Sequence, residues 1–192
     1  DNHMANKVSE EEMNEEEWLN WYKKQELPQY PKPAFTVDNL IFNVTSDAVY
    51  ILLVKRKNHP FKGRFALPGG FVNEGENIIK AAIRELKEET GVEVQEVSLL
   101  GVYGDKNRDP RGWTISAVYI TVLQQMKTLY AGDDASEAFW YRVDKDKVLY
   151  QDVTSKERSS TENWESLFAF DHAQIIHDGF KWLNDKLRQR GL

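Results

Sequence analysis

The sequence predicts an α/β fold in which a mixed sheet is flanked by helices, with a further helix ahead of it. Three observations lead there. Two β-branched and aromatic runs, 35–44 and 48–56, are separated only by Thr45-Ser46-Asp47, a strand–turn–strand pattern. Residues 76–90 place Ile79, Ile83 and Leu86 at helical spacing and close on Thr90-Gly91. Residues 171–190 repeat helical spacing with Ile175, Ile176, Phe180, Leu183 and Leu187.

In chain order, residues 1–3 read as a tag remnant before a native start at Met4. Ser9 and Glu12 form a capping-box pattern for a helix over 10–26, whose apolar side is Trp18, Leu19, Trp21 and Tyr22. That side has two readings, a contact between two copies of the chain or a cap on its own domain. Pro28, Pro31 and Pro33 then end the helix and make an extended linker, so 1–33 form an appendage and 34–192 the main domain. After the first two strands, 57–70 is a loop leading to the 76–90 helix. Strands are expected at 93–103, 113–123 and 137–143, and a polar loop over 144–164. Asp171 with Gln174 reads as the N-cap box of the final helix, and His172 as a cap or core contact.

A net charge of −6 argues against general nucleic-acid binding, which needs a basic face. Without cysteine there is no disulfide and no thiolate metal site, which leaves carboxylates or histidines. No apolar run approaches a membrane span and no signal-peptide pattern opens the chain; a cytoplasmic protein is expected.

On the 76–90 helix, Glu85, Glu88 and Glu89 share one face, because positions i, i+3 and i+4 are neighbours. Three like charges so close repel unless a cation lies between them, and hard carboxylate oxygens suit Mg²⁺ or Mn²⁺. Arg84 is spaced to pair with Glu88. Gly69 and Gly70 let a loop backbone pass close to the helix, and Gly91 suits a left-handed turn at its end. The charges alone also fit a solvated acidic face.

The full pattern separates those readings. Gly70, five residues, Glu76, seven residues and then "RELKEETGV" resemble the complete Nudix box. The resemblance covers about 34–143 and implies a Nudix-type α/β/α sandwich that cleaves a nucleoside diphosphate linked to another group. It implies that Glu85, Glu88 and Glu89 hold divalent cations, with Glu76, Arg84 and Gly70 supporting them. It also implies a base that is either a box glutamate, Glu85 or Glu89, or an acidic loop residue. In "AGDDASEAFW" the loop candidates are Asp133, Asp134 and Glu137, with Glu137 preferred; an ordinary acidic turn is the plainer reading.

The stretch "VYGDKNRDPRGWTISAVYI" resembles a segment of ADP-ribose pyrophosphatases and of the Nudix domains of certain NAD-metabolism repressors. Arg108 and Arg111 are suited to bidentate contacts with phosphate or ribose, and Arg56 and Arg64 to phosphate at the cleft mouth. Tyr103 or Trp113 is suited to stack on a base. The family form usually carries a proline where Lys106 or Asn107 stands. The resemblance implies Mg²⁺- or Mn²⁺-dependent hydrolysis of ADP-ribose to AMP and ribose 5-phosphate, with a small-molecule nucleotide as partner and no nucleic acid or membrane. Two other readings are a sensor that binds ADP-ribose without turnover and a hydrolase of oxidised nucleoside triphosphates. Against the sensor, every box carboxylate is present and no basic patch follows Val143.

Overall fold

The computed structural model describes residues 10–26, 29–130, 137–149 and 163–190. Ser9, Pro28, Asp133, Asp134 and residues 155–162 lie outside them. The chain forms two compact units, Asp1–Lys32 and Pro33–Leu192. In the first, α1 (Glu15–Lys23) is capped by Asn14, whose side chain accepts from the Glu17 amide at 2.8 Å. Within it, Trp18 stacks on Tyr22 with ring centroids 4.9 Å apart.

The second unit holds β1 (Ala34–Val44), β2 (Ala48–Lys55), β3 (Phe65–Ala66), β4 (Gly69–Phe71), α2 (Ile78–Thr90), β5 (Ser98–Tyr103), β6 (Thr114–Leu123), β7 (Glu137–Asp144), α3 (Lys145–Leu149) and α4 (His172–Gln189). A 3₁₀ turn, Trp164–Leu167, precedes α4. The strands make one mixed sheet in the order β3-β2-β1-β6-β5, with β4 also paired to β1 and β7 to β2. β1 and β6 run parallel over ten residue pairs, and the other pairings are antiparallel.

Side chains alternate across a strand, so β1 serves both faces of the sheet. Leu40 and Phe42 pack with Ile175, Ile176 and Phe180 of α4 on one face. Ile41 packs with Leu86 of α2, and Val37 with Ala81 and Ala82, on the other. The layers are therefore helix, sheet, helix. Phe180 is fully buried and stacks on Phe42 at 5.9 Å, so Phe180→Ala is expected to cost about 3–5 kcal/mol. Urea unfolding checks this; a loss below about 1 kcal/mol contradicts the placement of this core.

Several sequence expectations change in detail. The loop over 57–70 contains β3 and β4, two and three residues long, too short for a periodic signal. The expected strand from 93 begins at Ser98, and the polar stretch after 144 opens with α3. The helix expected from 76 starts at Ile78, because Asn77 caps it by accepting from the amides of Ile79 and Lys80. Its buried side is Ala81, Ala82, Leu86 and Thr90, whereas Ile79 is 43% exposed. Alanines lie closest to the sheet, so the larger Ile79 falls outside the contact. At the C-terminal end, the Thr90 hydroxyl donates to Leu86 O and accepts from the Val92 amide. Gly91 takes φ 78°, the left-handed turn that ends the helix.

Candidate active site

The buried Asn39 amide of β1 donates to Ala82 O at 2.9 Å and fixes α2 over the sheet. That places the glutamate face of α2 against β4. A methyl group built on Gly70 would lie 2.6 Å from Glu85 Cδ, so only glycine lets β4 run this close to the carboxylate. Arg84 gathers the acidic groups: it donates to Glu76 at 2.7 and 2.9 Å, to Glu85 at 2.8 Å, to Glu88 at 3.2 Å and to Phe71 O at 3.4 Å. Glu76 also accepts from the Asn73 amide. Hydrogen bonds from Arg84 and then from Asn73 hold the Glu76 carboxyl down at about 2.

The two carboxyls nearer the cleft behave in the opposite way. Burial pushes Glu85 up, against the pull of Arg84. Burial, then the charges of Glu85 and Asp38, push Glu89 up to about 8. A carboxyl held up by its own neighbours lacks positive charge, and a divalent cation beside it supplies that charge; hard oxygen donors suit such an ion. Among the described residues, no three Asp, Glu, His or Cys side chains already converge on one ion-sized point. Glu88, whose side chain is 59% exposed, pairs with Arg84 instead. Glu85 and Glu89 fit a metal by chemistry and position, and Glu88 is held away by its ion pair.

Beside Glu89 a cleft of about 200 Å³ opens, lined by Asp38, Gly69, Gly70, Phe71, Glu89, Arg56, Arg108, Arg111, Phe170 and His172 among others. Arg56 lies 5.0 Å from the Phe170 ring centroid, and its Nε donates to Pro60 O. Burial and the facing Arg111 lower its pKa. Arg111 is held by Asp109 through Nε at 3.1 Å, Nη2 at 2.9 Å and its own amide at 2.9 Å. Two guanidiniums thus face one cleft that also contains carboxylates, an arrangement that can take a phosphate group together with its counter-cation.

Of the remaining expected ligand residues, Arg108 lines the cleft and the others do not. The guanidinium of Arg108 makes a bidentate pair with Asp171 at 2.9 and 2.7 Å, and the side chain is only 5% exposed. Asp171 stands at the N-cap position of α4 as expected, but the box is corrected: its side chain makes no cap bond, and Gln174 donates to Asp178 instead. Arg64 lies over Phe61 at 5.2 Å and donates to Phe168 O, outside the cleft lining. Tyr103 donates to Asp178 at 2.7 Å; burial and that carboxylate push its phenol up. Neither Tyr103 nor Trp113 lines the cleft. Glu137 begins β7 opposite Lys55, exposed and also outside the lining. Asn107 takes φ 67°, which proline's ring forbids.

Asp38, Phe71, Asp109 and Phe170 line the cleft although the sequence did not single them out. A usable signal existed for Asp38, the one charged residue within β1. It accepts from buried Ser116 at 2.6 Å and lies 3.8 Å from His172 Nε2. His172 is buried, and its Nδ1 accepts from the Leu67 amide at 3.0 Å, which requires a lone pair there. Burial lowers its pKa. The folded state thus resists protonation that the unfolded chain accepts near 6.5. His172's contribution to stability is complete above that pH and is lost as pH falls below it, by up to about 1.4 kcal/mol per unit. Glu89, raised instead, has the opposite sign, its contribution fading as pH rises from about 4.5 toward 8. The check is therefore a difference: between pH 7.5 and 5.5, wild type should lose more stability than His172→Gln. Equal losses contradict this role.

Residues 32–163 match the NUDIX domain family model. The chain is 43% identical to the ADP-ribose pyrophosphatase of Methanocaldococcus jannaschii over 84% of its own length and 83% of that protein. It is 31% identical to the ADPR responsive transcriptional repressor NtrR of Acinetobacter baylyi, over 93% of this chain but only 64% of the repressor. Among solved structures, a MutT/nudix family protein from Enterococcus faecalis superposes with a TM-score of 0.75 at 33% identity, covering 92% of this chain and 71% of that one.

Proposed function

The chain belongs to the Nudix family and is a Nudix hydrolase, and from that premise we propose that it cleaves the pyrophosphate of ADP-ribose, giving AMP and ribose 5-phosphate with Mg²⁺ or Mn²⁺. The observation that carries this reading is the cleft itself. The carboxyl of Glu89, with Glu85 close by, borders a space faced by the guanidiniums of Arg56 and Arg111. Family members generally use divalent metals. When bound, such an ion neutralises the pyrophosphate, acidifies a water and stabilises the departing phosphate oxygen.

The chain's own residues supply the rest. Glu85 and Glu89, joined by Glu88 if its pair with Arg84 opened, would hold the cation. Arg56 and Arg111 bind phosphate oxygens and align the anhydride. A box carboxylate, Glu85 or Glu89, accepts the water proton as the new O–P bond forms and the bridging P–O bond breaks. Arg84 and Glu76 keep the carboxylates oriented. Arg108 acts through Asp171, tying the loop after β5 to the start of α4.

The similarity to an ADPR-responsive repressor supports a second reading, in which the same cleft binds ADP-ribose without cutting it. The complete glutamate set favours turnover. Incubating the protein with ADP-ribose and with oxidised nucleoside triphosphates, with products identified by mass, separates the readings. AMP from ADP-ribose supports the proposal. Pyrophosphate from triphosphates alone moves the substrate to that class, and unchanged ADP-ribose that nevertheless binds supports sensing.

A further inference from the structure

We infer that Phe71 is the platform on which the nucleobase of the substrate stacks, which makes it a specificity-determining residue. The inference rests on the reading of the cleft as a site for a nucleoside diphosphate derivative.

Phe71 is a large apolar side chain left 48% exposed on the wall of a concave, charged cleft. Apolar surface in such a place is a recognition feature more than a packing one. The other aromatic ring in the lining, Phe170, is already surrounded: Phe61 lies 5.0 Å away, His172 5.4 Å and Arg56 5.0 Å. Among the described residues Phe71 stacks on no other ring, and Arg111 is the one cation over it, at 5.2 Å. The ring thus retains open π surface, and every nucleobase offers a matching face.

The platform is also held in place. Phe71 pairs with Thr36 in the sheet, and its carbonyl accepts from Arg84, the same arginine that binds Glu85. Gly70, the preceding residue, lies against Glu85. The backbone that carries the ring is therefore fixed relative to the carboxylates of the proposed reaction centre. Asp109 anchors Arg111 beside the ring through Nε and Nη2, and among the described residues Nη1 makes no hydrogen bond. That N–H is available to a base nitrogen or a phosphate oxygen next to the stacked ring.

AMP and ribose 5-phosphate provide the test, since they share a phosphorylated ribose and differ by the base. Calorimetric titration should show wild type binding AMP at least tenfold more tightly than ribose 5-phosphate. Phe71→Ala should abolish most of that preference, Phe71→Trp should restore it, and with ADP-ribose Phe71→Ala should raise KM far more than it lowers kcat. A preference that survives Phe71→Ala, one that Phe71→Trp fails to restore, or no preference in wild type overturns the inference. A Phe71-dependent AMP preference without any cleavage of ADP-ribose would overturn the proposed reaction instead and leave this inference standing.

Discussion

Glu89→Gln is expected to lower turnover roughly 10²- to 10³-fold, equivalent to about 3–4 kcal/mol of lost transition-state stabilisation. The substitution keeps the shape of the side chain and removes the charge that a cation and a water proton require. It should not harm the fold. In the protein without metal, burial and then the charges of Glu85 and Asp38 push the Glu89 pKa up to about 8. A neutral amide there relieves repulsion, so in EDTA the variant should melt at the same temperature as wild type or higher. A site that is destabilising until its ligand arrives is expected to give that pairing of lost activity and retained stability. Near-normal turnover, or a large fall in melting temperature, contradicts the role assigned to Glu89.

Arg84→Gln should reduce kcat/KM by about 10- to 100-fold, the range found when a partner that orients metal ligands is removed. One guanidinium holds Glu76, Glu85 and Glu88 and the carbonyl of Phe71, and glutamine cannot replace those four contacts. Because the loss arises from carboxylates left to repel and reorient, higher Mg²⁺ concentration should recover part of it. Activity within twofold of wild type at limiting Mg²⁺ contradicts the account.

The acidic helix was legible in the sequence because its logic is local. Spacing of three and four places Glu85, Glu88 and Glu89 together whatever surrounds them, and Gly91 marks the C-terminal end, whereas the Asn77 cap at the other end was not read. The inward face of the same helix was misjudged, since spacing cannot tell that Ala81 and Ala82, not Ile79, lie closest to the sheet. The cleft was less legible because long-range contacts build it. Arg108 lines the cleft, but the Asp171 that pairs with its guanidinium comes 63 residues later and could not be read from the sequence. His172 meets Leu67 across 105 residues. Phe71 belongs to a three-residue strand that no periodicity can reveal, yet its ring forms part of the cleft wall.

The most direct test of the central claim is hydrolysis of ADP-ribose in ¹⁸O-labelled water, with and without a divalent cation. The account predicts AMP and ribose 5-phosphate in equal amounts, one of them carrying a single ¹⁸O, in Mg²⁺ or Mn²⁺ and none in EDTA. Intact ADP-ribose after prolonged incubation with metal, or cleavage that continues undiminished in EDTA, would contradict it.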